Sequence, residues 1–71
     1  MWENGTVKVF GCNFTYSAKR YDTPSKMGIF NGCVSKLDLF RGGKYVAHYD
    51  RGWDMSPKSI LVWIAVKMIC A

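Results

Sequence analysis

Apolar and polar positions alternate in short runs separated by turn-forming residues over the first two thirds of the chain, the pattern of half-buried strands. Thr6-Val7-Lys8-Val9-Phe10 alternates and is rich in β-branched residues, so it reads as a strand. Gly11-Cys12-Asn13 reads as the turn that follows. In Phe14 to Lys19 the alternation puts Phe14, Tyr16 and Ala18 on one face and Thr15, Ser17 and Lys19 on the other. Val34 to Phe40 is the third strand, with Leu37 and Leu39 pointing inward. Arg41-Gly42-Gly43 is a hairpin turn, because the two glycines supply the positive φ angles of tight hairpins. Lys44 to Tyr49 is the fourth strand, with Tyr45, Ala47 and Tyr49 on one face and Val46 and His48 on the other.

The period changes near Ser56, read as an N-cap, and Pro57, read as the first helical residue. From there to Ile69 the chain is apolar nearly all round. At about 100° per residue, Ile60, Leu61, Ile64, Ala65 and Met68 form a core stripe that Val62, Val66 and Ile69 widen, with Trp63 beside Lys67. A stripe wider than an ordinary surface helix needs points to a second covered face, so Val62, Trp63 and Val66 are expected to meet a partner or a second copy. The predicted architecture is α+β, a four-stranded antiparallel sheet of two hairpins packed on one C-terminal helix, in a single domain over residues 1–71.

Size limits what such a domain does. With 71 residues and 49% apolar composition, most apolar side chains are needed for the core, and little remains for a catalytic cleft. Ten lysines and arginines against five acids give a formal charge of +5, spread along the chain without a basic run. That balance suits anionic partners, nucleic acid among them. Three widely spaced cysteines, Cys12, Cys33 and Cys70, and an N-terminal stretch unlike a signal peptide predict reduced thiols in the cytoplasm. The apolar stretch Ile60 to Val66 is too short to span a bilayer, so no membrane role is expected.

Chemistry-bearing residues are sparse. His48 is the only histidine, the five acids are scattered, and no metal-ligand spacing or phosphate-cradling glycine motif occurs. The expectation is a protein that binds rather than catalyses, with no catalytic residue, metal or cofactor. Two segments stand out. The loop from Tyr21 to Gly32 carries Tyr21, Asp22 and Lys26, and its Gly28 and Gly32 amides suit close approach to an anion. The second is Tyr49-Asp50-Arg51-Gly52-Trp53-Asp54. There, Gly52 is expected in a left-handed conformation, Trp53 at the bottom of the core, and Arg51 between the Tyr49 and Trp53 rings, an arrangement that grips phosphates and stacks bases. Asp54 faces either a ligand or Arg51.

These segments, with Ser35-Lys36-Leu37 between them and Pro57 after, resemble a family of small proteins of Firmicutes, their phages and their plasmids. The pattern here is Tyr21-Asp22-Thr23-Pro24-Ser25, Gly28-Ile29, Asn31-Gly32, Ser35-Lys36-Leu37 and Tyr49-Asp50-Arg51-Gly52-Trp53-Asp54. Phe30 stands as an insertion in it, and Cys33 replaces a glycine. The resemblance implies a mobile-element setting and no particular activity. Small phage proteins that act without catalysis commonly block host machinery. The leading expectation is therefore an anti-CRISPR-like inhibitor that binds a host defence protein. Two alternatives stay open, an oligomer joined through the C-terminal helix that sequesters an anionic nucleotide signal, and a nucleic-acid-binding module.

Overall fold

A computed structural model describes residues 2–70. Five strands succeed one another both along the chain and across one antiparallel sheet, in the order β1 (Trp2–Val9), β2 (Cys12–Arg20), β3 (Val34–Arg41), β4 (Lys44–Asp50) and β5 (Trp53–Met55). A single helix, α1 (Ile60–Cys70), covers one face, and a one-turn 3-10 segment (Ile29–Asn31) lies in the loop between β2 and β3. The α+β class and the C-terminal helix agree with the sequence pattern. The sheet has five strands rather than four, because Trp53–Met55, expected in the connection to the helix, pairs with His48 and Tyr49.

The strands run longer than their alternation suggested. The first hairpin turns at Phe10-Gly11, not at Gly11-Cys12-Asn13, with both turn residues at positive φ (49° and 82°). Two such residues match the right-handed twist of the flanking strands. Cys12 and Asn13 therefore belong to β2, opposite Val9 and Lys8.

Three register shifts decide which side chains reach which face. Between Leu39 and Phe40 the partners jump from Ala47 to Tyr45, which leaves Val46 as an extra residue. Between Lys19 and Arg20 they jump from Lys36 to Val34, leaving Ser35 over. Between His48 and Tyr49 they jump from Met55 to Trp53, leaving Asp54 over. A bulge re-aims the side chains beyond it. Tyr45 therefore leaves the face that Ala47 and Tyr49 share and joins Phe40 on the opposite side, against the period-two expectation.

The core lies between the covered sheet face and α1. Phe14, Ala18, Leu37, Leu39, Ala47 and Tyr49 from the sheet meet Val62, Ala65, Val66 and Ile69 from the helix. Each large aliphatic side chain so buried contributes about 1.5–3 kcal/mol. The helix is turned relative to the expected stripe, with Ile60 75% and Met68 48% exposed while Val66 is fully buried. With apolar residues on every side, the pattern could not set the helix phase. Its start is also later than expected. Ser59 caps α1, accepting the Val62 amide at its Oγ (3.3 Å) and the Trp63 amide at its carbonyl (3.1 Å). Pro57 precedes the helix and is buried. At the other end, the Arg20 guanidinium donates to the Ile69 carbonyl and pairs with Glu3 (3.0 Å), tying α1 to β2 and β1.

Among the described residues no helix is long and apolar enough to cross a membrane.

Candidate functional site

The loop from Tyr21 to Cys33 is a closed structure. Its ends are joined by the Tyr21 amide donating to the Cys33 carbonyl (2.9 Å), and Ser25 donates to Gly32 further in (3.1 Å). Ile29 drives into the core at 2% exposure. The buried Tyr49 hydroxyl donates to the Met27 carbonyl at 2.8 Å. A Cβ on Gly28 would lie 1.9 Å from the Gly32 carbonyl oxygen, so only glycine fits this crossing. The Gly28 and Gly32 amides, expected to face an anion, donate instead to Ser25 and Ile29 within the loop.

The residues singled out in the sequence separate into three places. Tyr21, Asp22 and Lys26 are exposed on the loop. The Lys19 ammonium lies 5.6 Å from the centre of the Tyr21 ring. Its hydrogen bond holds the Tyr21 phenol below the ordinary range, with help from Ser35 and Lys36. Arg51 reaches the same corner through its amide, which donates to the Ser35 carbonyl (2.9 Å). It is Arg51, at φ 57°, and not Gly52 that adopts the left-handed conformation. The Arg51 guanidinium lies 3.5 Å from the Asp50 carboxylate rather than between two rings.

Tyr49 and Trp53 belong to a different place. Their rings pack edge to face at 4.9 Å, and Trp53 meets Trp63 of α1 at 5.4 Å, which in turn contacts Phe30 of the loop at 6.1 Å. This aromatic chain closes the lower end of the core, as expected for Trp53. Val62 and Val66, expected on a partner surface, face the sheet at 7% and 0% exposure, and Trp63 is half-buried. The helix phase directs Val62 and Val66 toward the sheet rather than toward a partner surface, and leaves Trp63 partly exposed.

Asp54 is the residue that leads to a site. As the extra residue of the third bulge it reaches back to His48, its Oδ2 3.1 Å from Nδ1, while Asp38 from β3 lies 3.2 Å from Nε2. Both ring nitrogens donate at once only when the imidazole carries two protons. The three side chains stand on the sheet face that α1 leaves open. Beside them, Tyr45 packs on Phe40 (4.4 Å) and against the edge of His48 (5.7 Å).

Tyr45 and Met55 form a ridge, 49% and 39% exposed. On one side is a depression of about 320 Å³ bounded by His48 and Asp54. On the other is a concavity of about 350 Å³ bounded by Arg41, Lys58 and the start of α1. The ridge thus divides an acidic hollow from a basic one. Because β5 pairs only with His48 and Tyr49, the Lys44–Ala47 stretch of β4 has no strand neighbour on that side among the described residues. Sequence reasoning passed over Arg41, Tyr45, His48, Met55 and Lys58. The bulges that gather them leave no mark in a period-two pattern.

The whole chain, residues 1–71, matches the model of a family described as Domain of unknown function (DUF7678). The chain belongs to that family. No curated protein and no solved structure matches it. The family description carries no activity, so a functional reading starts from the surface around Tyr45.

Proposed function

We propose that this chain is a binding protein without catalytic activity that docks on another protein through the Tyr45–Met55 ridge. The observation that carries the reading is the ridge itself, two large exposed side chains standing between hollows on the open side of the sheet. Interface centres are enriched in aromatic residues and methionine, and anchors of this kind supply most of the binding energy. The adjoining Lys44–Ala47 edge of β4 favours a polypeptide over nucleic acid, because backbone groups without a strand neighbour are what an added strand pairs with. Mixed charge around the ridge, Asp38 and Asp54 on one side and Arg41 and Lys58 on the other, also suits a protein better than a polyphosphate.

The resemblance of the Tyr21 and Tyr49 segments to phage and plasmid proteins supports a host defence protein as the target, with inhibition as the outcome. The test is co-purification of the tagged chain with the subunits of a defence complex, one complex per Firmicute strain across a panel. The reading expects a defence subunit retained by the native chain and by Ile60→Ser, but lost with Tyr45→Ala/Met55→Ser. Retention by the ridge variant, or no defence subunit from any strain, would overturn it.

A further inference from the structure

The basic concavity beside the ridge shares Tyr45 and Met55 with it and has the makings of a small-molecule site. Its volume, about 350 Å³, lies within the about 300–1,000 Å³ range of small-ligand sites. The lining holds two cations, Arg41 and Lys58, and no carboxylate. Three other cations are paired, Arg20 with Glu3 and Lys36 and Arg51 with Asp50. Among the described residues neither Arg41 nor Lys58 has a carboxylate within ion-pair distance. Arg41 is nonetheless held in place, its guanidinium 5.9 Å from the centre of the Phe14 ring. A guanidinium anchored on an aromatic face keeps its donors directed outward.

The remaining lining sorts by chemistry. Val46, Met55 and Val62 make an apolar floor, and Tyr45 makes an aromatic wall. Ser59 accepts the Val62 amide at its Oγ (3.3 Å), which leaves its own O–H proton free to donate. The first turn of α1 adds the positive end of the helix dipole to the field of the two cations. An anionic group at one end and a flat apolar group at the other satisfy this lining together. A bare phosphate would leave the floor and wall uncovered.

We propose that this concavity binds a nucleoside monophosphate or a similar nucleotide, with the phosphate between Arg41 and Lys58 and the base against Tyr45. Base stacking on an aromatic side chain and charge-assisted hydrogen bonds to phosphate are the two recognition elements. Arg41 and Lys58 are exposed and on the rim, so replacing them leaves the core intact.

The experiment is a calorimetric titration of the purified chain with adenosine 5′-monophosphate, with adenosine and with inorganic phosphate, repeated for Arg41→Gln and Lys58→Gln. The melting temperature of each variant is the check on folding. The proposal expects the monophosphate to bind, and both adenosine and phosphate to bind at least about tenfold more weakly. It expects each variant, still folded, to lose about tenfold or more for the monophosphate. Backbone amide shifts should move at Ser59 and Ile60 and not in the loop at Tyr21. The proposal fails if the monophosphate does not bind at millimolar concentration. It also fails if phosphate alone binds as tightly, or if Lys58→Gln binds like the native chain. Failure here leaves the protein-docking reading standing, because that reading rests on the exposed Tyr45 and Met55 side chains and is tested by retention of a defence subunit, not by nucleotide binding.

Discussion

The Tyr49 hydroxyl, buried in β4, donates to the Met27 carbonyl 22 residues earlier, at 2.8 Å. One hydrogen bond thus joins β4 to the middle of a loop whose backbone bonds, Ser25 to Gly32 and Gly32 to Ile29 among them, close on the loop itself. Tyr49→Phe keeps the ring against Trp53 and removes only the donor. We expect a loss of about 1 kcal/mol. For a domain of this size that corresponds to a melting point lower by about 4–8 °C. Amide exchange should quicken over residues 21–33 while the β2–β3 ladder is unchanged.

The Gly28–Gly32 crossing makes a sharper demand. Gly28→Ala would put a methyl group 1.9 Å from a backbone oxygen, which cannot move without opening the loop. The expected loss is about 2 kcal/mol or more, at the upper end of ordinary single substitutions. At Gly52 an added Cβ meets nothing within 4 Å, so Gly52→Ala should stay within about 0.5 kcal/mol. Urea denaturation of the pair checks both.

Helix phase gives a third contrast. Ile69 is 3% exposed and Ile60 75%. Ile69→Ala should cost about 2–5 kcal/mol through lost contacts and a residual cavity. Ile60→Ala should change stability by no more than about 0.5 kcal/mol. Equal costs would mean that the helix presents the stripe read from the sequence instead.

Burial pushes the Cys70 thiol up to about 11 from its ordinary 9.0, against the opposing pull of Arg20. The sign follows from proton binding. Between pH 9 and 11 the folded chain keeps a proton that the unfolded chain has lost, so stability falls as pH rises. Below pH 9 both states hold the proton, and Cys70 contributes no slope. Native and Cys70→Ala chains, melted from pH 8 to 11, should diverge only above about pH 9, with the native chain falling more steeply.

Strand identity and the α+β class were legible because the alternation in β1 to β4 is clean and Gly42-Gly43 marks a turn. The same alternation points Leu37 and Leu39 inward, where both are buried, and puts Phe14 and Ala18 on one face, which the structure shows to be the covered one. The helix was legible as a helix but not in phase, because Val62, Ile64 and Ile60 are chemically equivalent until a sheet is placed beneath them. The ridge was not legible. Tyr45 appears on the face of Ala47 and Tyr49 unless Val46 bulges, and the bulge depends on pairing between strands rather than on either strand alone. The sequence points to Asp54 as a binding residue and not to its partner His48, because their contact also exists only through a bulge. The loop glycines invited an anion-binding reading. They serve loop closure, as the Gly28 contact distance requires.

The central claim is that the chain acts through the Tyr45–Met55 ridge, and the most direct measurement is phage plating. The native chain or Tyr45→Ala/Met55→Ser, expressed at equal level in strains that each carry one defence system, is scored by efficiency of plating. The account predicts that the native chain restores plating in at least one strain, and that the ridge variant, folded and equally abundant, does not. Restoration by both proteins would contradict it, as would no restoration in any strain.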